Sequence, residues 1–305
     1  MSALDVIDVK DQVAVVTGAG RGLGRAYAVA LGRAGAAVVV NDLDAAALEE
    51  TARLAGARAV SVVGDVGDTA TATALVGRAV ESFGRLDVMV TNAGVLRDAV
   101  LWKMTDDDFD LVIRAHLRGT FVCARAAAIR MREQGQGGRI IVVGSPAGQL
   151  GNFGQTNYAA AKAGIVAFAR TWSLELARSQ ITVNAIVPTA WTAMTATIPA
   201  FKPLVPLVEA GRPLPPVVRR ELAIGMPEDC AGLVLFLASK AAAGVTGQAI
   251  GIGGDRLCLY SHPAELAVEL KDGGWDADAI AAIWASRFAP HTQPSGISMP
   301  KVDLG

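Results

Sequence analysis

An α/β fold, a doubly wound parallel sheet in three layers, is predicted by three observations. Short β-branched runs alternate with stretches of helical periodicity, the pattern of strands covered on both faces by crossover helices. A glycine-rich turn, Gly18-Ala-Gly-Arg-Gly-Leu-Gly24, joins the first run to the first helical stretch. The polar residues able to do chemistry fall at the carboxyl ends of the runs, the edge at which such sheets bind ligands.

Residues 12–17 and 37–42 form the first two buried strands, and a helix over 25–34 lies between them, ended by Gly35. In such a β-turn-α-β unit the glycines lie where backbone approaches a pyrophosphate and a helix N-terminus offers free N–H groups. Gly18, Arg21, Gly22, Leu23 and Gly24 are therefore candidate cofactor contacts, although the spacing differs from the commoner Gly-x-Gly-x-x-Gly. Asp42 ends the second strand and Leu43 follows it. A carboxylate there can accept both ribose hydroxyls of an adenosine and would repel a 2′-phosphate, which favours NAD over NADP. Asp44 is the better cap for the helix that starts near Ala45.

A third strand over 57–64 precedes Asp65 and Val66, where an acid can meet an adenine amino group or cap the next helix. A helix over 69–84 leads to a fourth strand over 86–91. Asn92, Ala93 and Gly94 end that strand, small enough for the chain to pass under a flat ring. Residues 106–132 read as one long helix, with Asp106, Asp107 and Asp108 at its positive end and His116 inside it. A strand over 139–144 then opens through a glycine-rich loop onto a helix over 158–176.

Ser145 stands at the mouth of that strand, and Tyr158 and Lys162, four apart, share a helix face. A phenol with a pKa of about 10 is a poor base at neutral pH. An ammonium at about 4 Å contributes about 4 kcal/mol at an effective dielectric near 20, enough to bring it to about 7. Lys162 is placed to be that ammonium. Ser145 can then hydrogen-bond an alcohol or carbonyl oxygen while Tyr158 exchanges its proton.

The totals exclude several alternatives. The chain of 305 residues has room for one large α/β domain or two small ones, and its net charge of -1 calls for neither nucleic acid nor an anionic membrane surface. No apolar run approaches the roughly 18 residues of a spanning helix. Cys123, Cys230 and Cys258 are odd in number and widely spaced, which suits a reducing compartment and offers no metal pattern. The first residues lack the layout of a signal peptide, so a cytoplasmic protein is expected.

Jointly, the turn from Thr17 to Gly24, Asn92-Ala-Gly94, Ser145 thirteen before Tyr158, and Tyr158-x-x-x-Lys162 resemble the short-chain dehydrogenase/reductase family over residues 8–254. The resemblance implies a Rossmann-type sheet with Tyr158 as catalytic acid/base. It implies that Ser145 orients the reacting oxygen and that Lys162 lowers the phenol and holds the nicotinamide ribose. By the same resemblance Asn184-Ala-Ile-Val-Pro188 lies against the nicotinamide, with Pro188, Thr189, Thr192 and Met194 as further contacts. Thr189 stands where the family usually has Gly. His116 stands where it usually has the Asn that anchors a relay water, and His can hold a water too.

His116-Leu-Arg-Gly and Gly151-Asn-Phe-Gly-Gln-Thr-Asn-Tyr158 are similar to the (3R)-hydroxyacyl-CoA dehydrogenase part of the multifunctional enzymes of type 2. The implied reaction interconverts a secondary alcohol and a ketone with NAD, on a hydrophobic 3-hydroxyacyl-CoA or steroid-like small molecule. A 3-oxoacyl-carrier-protein reductase is the alternative. A non-catalytic NAD-binding regulator is the alternative of another class. Family members pair through their two long helices, which implies a homodimer or homotetramer.

The proline-rich residues 195–225 correspond to the family's substrate lid. There Ile198, Phe201, Leu204, Val205, Leu207 and Val208 either cover a hydrophobic substrate or pack on the body. A helix over 227–239 and a strand over 246–254 complete a domain of residues 1–254. Residues 255–305 form an extension with a capped helix over 275–284, expected to pack on the body or reach a partner subunit near the active-site mouth.

Overall fold

A computed structural model describes residues 7–192, 195–197 and 199–297; Met194 and Ile198 lie outside them. In chain order its elements are β1 (Val13–Thr17), α1 (Gly22–Arg33), β2 (Ala37–Asp42), α2 (Ala45–Ala55), β3 (Ala59–Val63), α3 (Thr69–Phe83) and β4 (Val88–Thr91). There follow α4 (Asp106–Ile113), a π-helical turn (Arg114–Arg118), α5 (Gly119–Gln134), β5 (Gly138–Val143), α6 (Pro146–Leu150), α7 (Thr156–Glu175) and β6 (Ile181–Pro188). The last are α8 (Val205–Glu209), α9 (Pro216–Arg220), α10 (Ala231–Ala238), β7 (Ala249–Gly253), β8 (Arg256–Leu259) and α11 (Ala277–Arg287).

The strands form one sheet in the order β3-β2-β1-β4-β5-β6-β7-β8. Strands β1 to β7 pair in parallel, as their near-continuous apolar sequences predict. Alternate residues along each strand enter opposite cores. Val13, Val15, Met89 and Ile140 face one core, and Ala14, Val16, Val90 and Ile141 the other. The order reverses between β1 and β4, so the crevice of a doubly wound sheet opens there, at the carboxyl edge.

Four features depart from the expected outline. The long helix over 106–132 is interrupted at Arg114–Arg118, where the backbone widens to a π turn. The loop after Ser145 is the short helix α6, because the Ser145 hydroxyl accepts the N–H of Ala147 and Pro146 takes the first helical position. Phe201 and Leu204 bury themselves in a small separate core, with Trp191, Leu214, Val218 and Ile224. The extension begins with β8, an edge strand antiparallel to β7. Its helix α11 is capped by Asp276, as predicted, yet buries none of its residues, and Trp284 remains half exposed.

Candidate active site

The turn after β1 is shaped by backbone that side chains would obstruct. Gly18 and Gly22 adopt left-handed φ of 62° and 55°, and a Cβ at Gly24 would lie 2.1 Å from the Gly18 carbonyl oxygen. No side chain caps the first turn of α1, which leaves its N–H groups open at the crevice. Asn92, at the end of β4, donates to the carbonyls of Thr17 and Gly18, both at 3.1 Å, and tethers the two sides of the switch point. The Thr17 hydroxyl accepts the N–H groups of Asn92 and Ala93 at 3.0 and 3.2 Å. The methyl of Thr192 lies 3.8 Å from where a Cβ at residue 22 would be, so the stretch after Pro188 faces the same turn.

Asp42 is held at the end of β2 by its neighbours. Oδ2 accepts the N–H of Gly20 at 2.9 Å and Oδ1 that of Leu43 at 2.8 Å. Oδ1 also accepts the Asp44 N–H at 3.4 Å, so the capacity for a further donor lies on Oδ2. Asp44, not Asp42, caps α2, through the N–H of Ala47 at 3.1 Å. Asp65 lies beyond β3 and does not cap α3, whose N-cap is Asp68. These residues fit the adenosine and pyrophosphate of a dinucleotide: a cradle that a Cβ would fill, open N–H donors and a fixed carboxylate beyond the second strand.

At the other end of the crevice Ser145, Tyr158, Lys162 and His116 converge. Lys162 is buried, and its ammonium donates to the Val143 carbonyl at 2.6 Å. Its Nζ is 5.5 Å from the centre of the Tyr158 ring. Burial brings Lys162 down to about 7. The His116 ring meets the Tyr158 ring edge-on, with centroids 5.1 Å apart. Its Nε2 lies 3.0 Å from the Val95 nitrogen and 2.8 Å from the Val95 oxygen, so the tautomer decides which it serves. Nδ1 is buried without a partner among the described residues. Burial first and the Lys162 charge second hold His116 down at about 3, so the imidazole is neutral at physiological pH. A Cβ at Gly94 would fall 1.9 Å from the imidazole Cε1, so the ring packs on bare backbone.

The expected depression of Tyr158 by Lys162 is corrected here. Burial raises the phenol above its ordinary 10.0; the Ser145 hydroxyl pulls it down, and the Asp98 carboxylate adds a small upward push. Desolvation of the buried phenol is the largest influence, and the one side-chain hydrogen bond that lowers it comes from Ser145.

The structure also adds residues that the motifs did not mark. Asn157 is fully buried beside Tyr158. It donates to the carbonyls of Arg97 and Asp108 at 3.0 and 3.2 Å and accepts the Tyr158 N–H at 2.7 Å. Gln155 donates to Asp98 at 2.9 Å, and the N–H of Ala99 to Gly154 at 2.9 Å. These bonds seam the loop after Gly94 to the start of α7. The apolar side chains of Leu101, Trp102, Leu150 and Phe153 stand exposed on the two sides of that seam. The N–H of Gly296 donates to the Leu150 carbonyl at 2.7 Å, which brings the extension back to this rim. Only the buried asparagine left a sequence signal, an uncharged polar residue next to the tyrosine. Among the described residues no group of His, Cys, Asp or Glu could hold a metal ion, and no helix is long and apolar enough to cross a membrane.

A family model described as enoyl-(acyl carrier protein) reductase matches residues 18–254. Hydroxyacyl-CoA dehydrogenase ChsB1 of Mycobacterium tuberculosis is 42% identical over 299 residues, covering 92% of this chain and 90% of that protein. Peroxisomal multifunctional enzyme type 2 of Drosophila melanogaster is 45% identical over 199 residues, which span 61% of this chain and 33% of that protein. Among solved structures, a short chain dehydrogenase from Mycobacterium avium superposes with a TM-score of 0.80 at 34% identity, covering 95% of this chain and 99% of that one.

Proposed function

The chain belongs to the short-chain dehydrogenase/reductase family and is an oxidoreductase acting on CH–OH groups, and from that premise we propose that it uses NAD to interconvert a secondary alcohol and a ketone on a hydrophobic 3-hydroxyacyl-CoA or steroid-like substrate. The observation that carries the reading is the convergence of Ser145, Tyr158, Lys162 and His116 at one end of the crevice that the glycine-rich turn opens at the other. NAD, when bound, supplies hydride chemistry at its nicotinamide ring. Gly18, Arg21, Gly22, Leu23 and Gly24 would hold its phosphates. Asp42 and Leu43 would hold the adenosine ribose, and Asp65 and Val66 the adenine. Asn92, Ala93, Gly94, Lys162, Pro188, Thr189 and Thr192 would line the nicotinamide end, with Met194 proposed from the motif alone.

The chain's own part is to place the substrate oxygen and manage one proton. Ser145 donates a hydrogen bond to that oxygen, and Tyr158 gives it a proton in reduction or takes one in oxidation. Neutral His116 offers Nδ1 to a water that passes the proton on beyond Lys162. The exposed rim of Leu101, Trp102, Leu150 and Phe153 supports a substrate with a large apolar body.

Following NADH and NADPH absorbance over a panel of coenzyme A thioesters, acyl-carrier-protein thioesters, steroids and simple alcohols tests the reading. Turnover is expected to favour NAD over NADP by at least about tenfold in kcat/KM, since like charges at one site cost several kcal/mol. Asp42→Ser is expected to narrow that ratio. Preference for NADPH together with acyl-carrier-protein thioesters would replace the reading with the carrier-protein reductase.

The same proposal covers assembly and the extension. Exposed Phe121, Ile129 and Leu174 on α5 and α7 support a homodimer or homotetramer through those helices. The extension is proposed to pack on the body near the active-site mouth, supported among the described residues by the Gly296–Leu150 bond. Deleting residues 261–305 is then expected to raise substrate KM while Tm holds. Deleting residues 256–305 also removes β8 and is expected to lower Tm by about 5 °C. Unchanged kinetics and melting in both truncations would count against it.

A further inference from the structure

We infer that Arg114 is a positioning residue for the adenine end of the cofactor, gripping the loop after β3 from the π turn that also carries His116. This deepens the NAD reading above and rests on it. Residues 65–68 form a tight loop in which Asp65 Oδ1 accepts the N–H of Gly67 at 2.7 Å. Asp65 Oδ2 accepts Nε and Nη2 of Arg114, both at 3.2 Å, and Nη2 also reaches Asp68 at 2.6 Å. One guanidinium thus fixes both carboxylates of the loop. The Arg114 side chain lies on Gly67, where a Cβ would come within 2.7 Å of its Cγ. Arg118, one turn on, donates to the Gly67 carbonyl at 2.9 Å, and Gly119 packs on Val66.

The consequence is a fixed carboxylate. Free in solvent, Asp65 would sample several rotamers; pinned on both oxygens, it keeps one direction, with one acceptor site, on Oδ1, left for an amino group. Arg114 and Arg118, four apart, share one face of the turn. That face meets the adenine loop, while His116, between them, is buried against Val95 near the nicotinamide end. Arg114 is 40% exposed on its side chain, and exposed ion pairs add little to stability. Its effect therefore belongs in cofactor affinity and not in melting.

The test measures NAD KM, the inhibition constant of AMP, kcat at saturating NAD, and Tm in the wild type and in Arg114→Gln, with Arg114→Lys as the conservative variant. Arg114→Gln is expected to raise NAD KM and the AMP constant together, by about tenfold, with kcat within about twofold and Tm within about 2 °C. Arg114→Lys is expected to recover part of the loss, since an ammonium keeps the charge but not the fork. Unchanged KM and AMP inhibition in Arg114→Gln would overturn the inference. So would a parallel fall of kcat and Tm, which would mark a merely structural residue. A wild type that neither NAD nor AMP binds would instead overturn the NAD reading, and the inference with it.

Discussion

Tyr158→Phe is expected to lower kcat by about 10²–10⁴-fold while NAD binding stays within about twofold. Phenylalanine keeps the ring that meets His116 edge-on and loses only the hydroxyl that trades the proton. The pH profile of the wild type carries the second half of the prediction. Burial holds the phenol above its ordinary value, so it is protonated throughout the neutral range. Reduction of a ketone needs that proton and should be flat near pH 7. Oxidation of the alcohol needs the phenolate and should accelerate as pH rises. Stopped-flow traces in both directions, with NAD binding followed by tryptophan fluorescence, read all of this at once. Residual turnover above a tenth of wild type would remove Tyr158 from the proposed chemistry.

Lys162→Met is expected to lose activity by about 10²-fold and to gain stability. The ordinary value of 10.5 falls to about 7 because the ammonium is desolvated. Between those values the unfolded chain binds a proton that the folded chain does not, so wild-type stability rises with pH across that window. Below about pH 7 the buried charge exerts its full cost, on the order of 5 kcal/mol. Methionine fills a similar volume without the charge. The variant should therefore melt higher than wild type by about 5–10 °C at pH 6, with the gap closing toward pH 10. Melting curves across that range check the sign. A gap that widens with pH would mean that the lysine is charged and stabilising in the folded state.

The sheet was legible because parallel strands buried on both faces announce themselves as β-branched runs, as at Val13–Thr17 and Ala37–Asp42. The crevice followed from the glycines and from Asp42, whose positions depend on local turn chemistry. The π turn was not legible, since Arg114 to Arg118 carries an ordinary helical sequence and the register change lives in the backbone. Nor was the Arg114 grip on Asp65 and Asp68, which joins residues nearly fifty apart. The state of Tyr158 was misjudged for a physical reason: spacing gives proximity to Lys162, but desolvation depends on everything packed around the pair. The strand β8 escaped notice because a short edge strand with Leu257 and Leu259 exposed has no buried face to pattern it.

The contact between Gly94 and His116 has a practical consequence for anyone re-engineering this enzyme. A methyl at position 94 would collide with the imidazole at 1.9 Å, so the two positions share one volume. Any side chain added at position 94 alone meets the ring, whereas a pair that enlarges 94 and shrinks 116 keeps that volume filled. Any enlargement at 94 therefore calls for joint codons at 94 and 116.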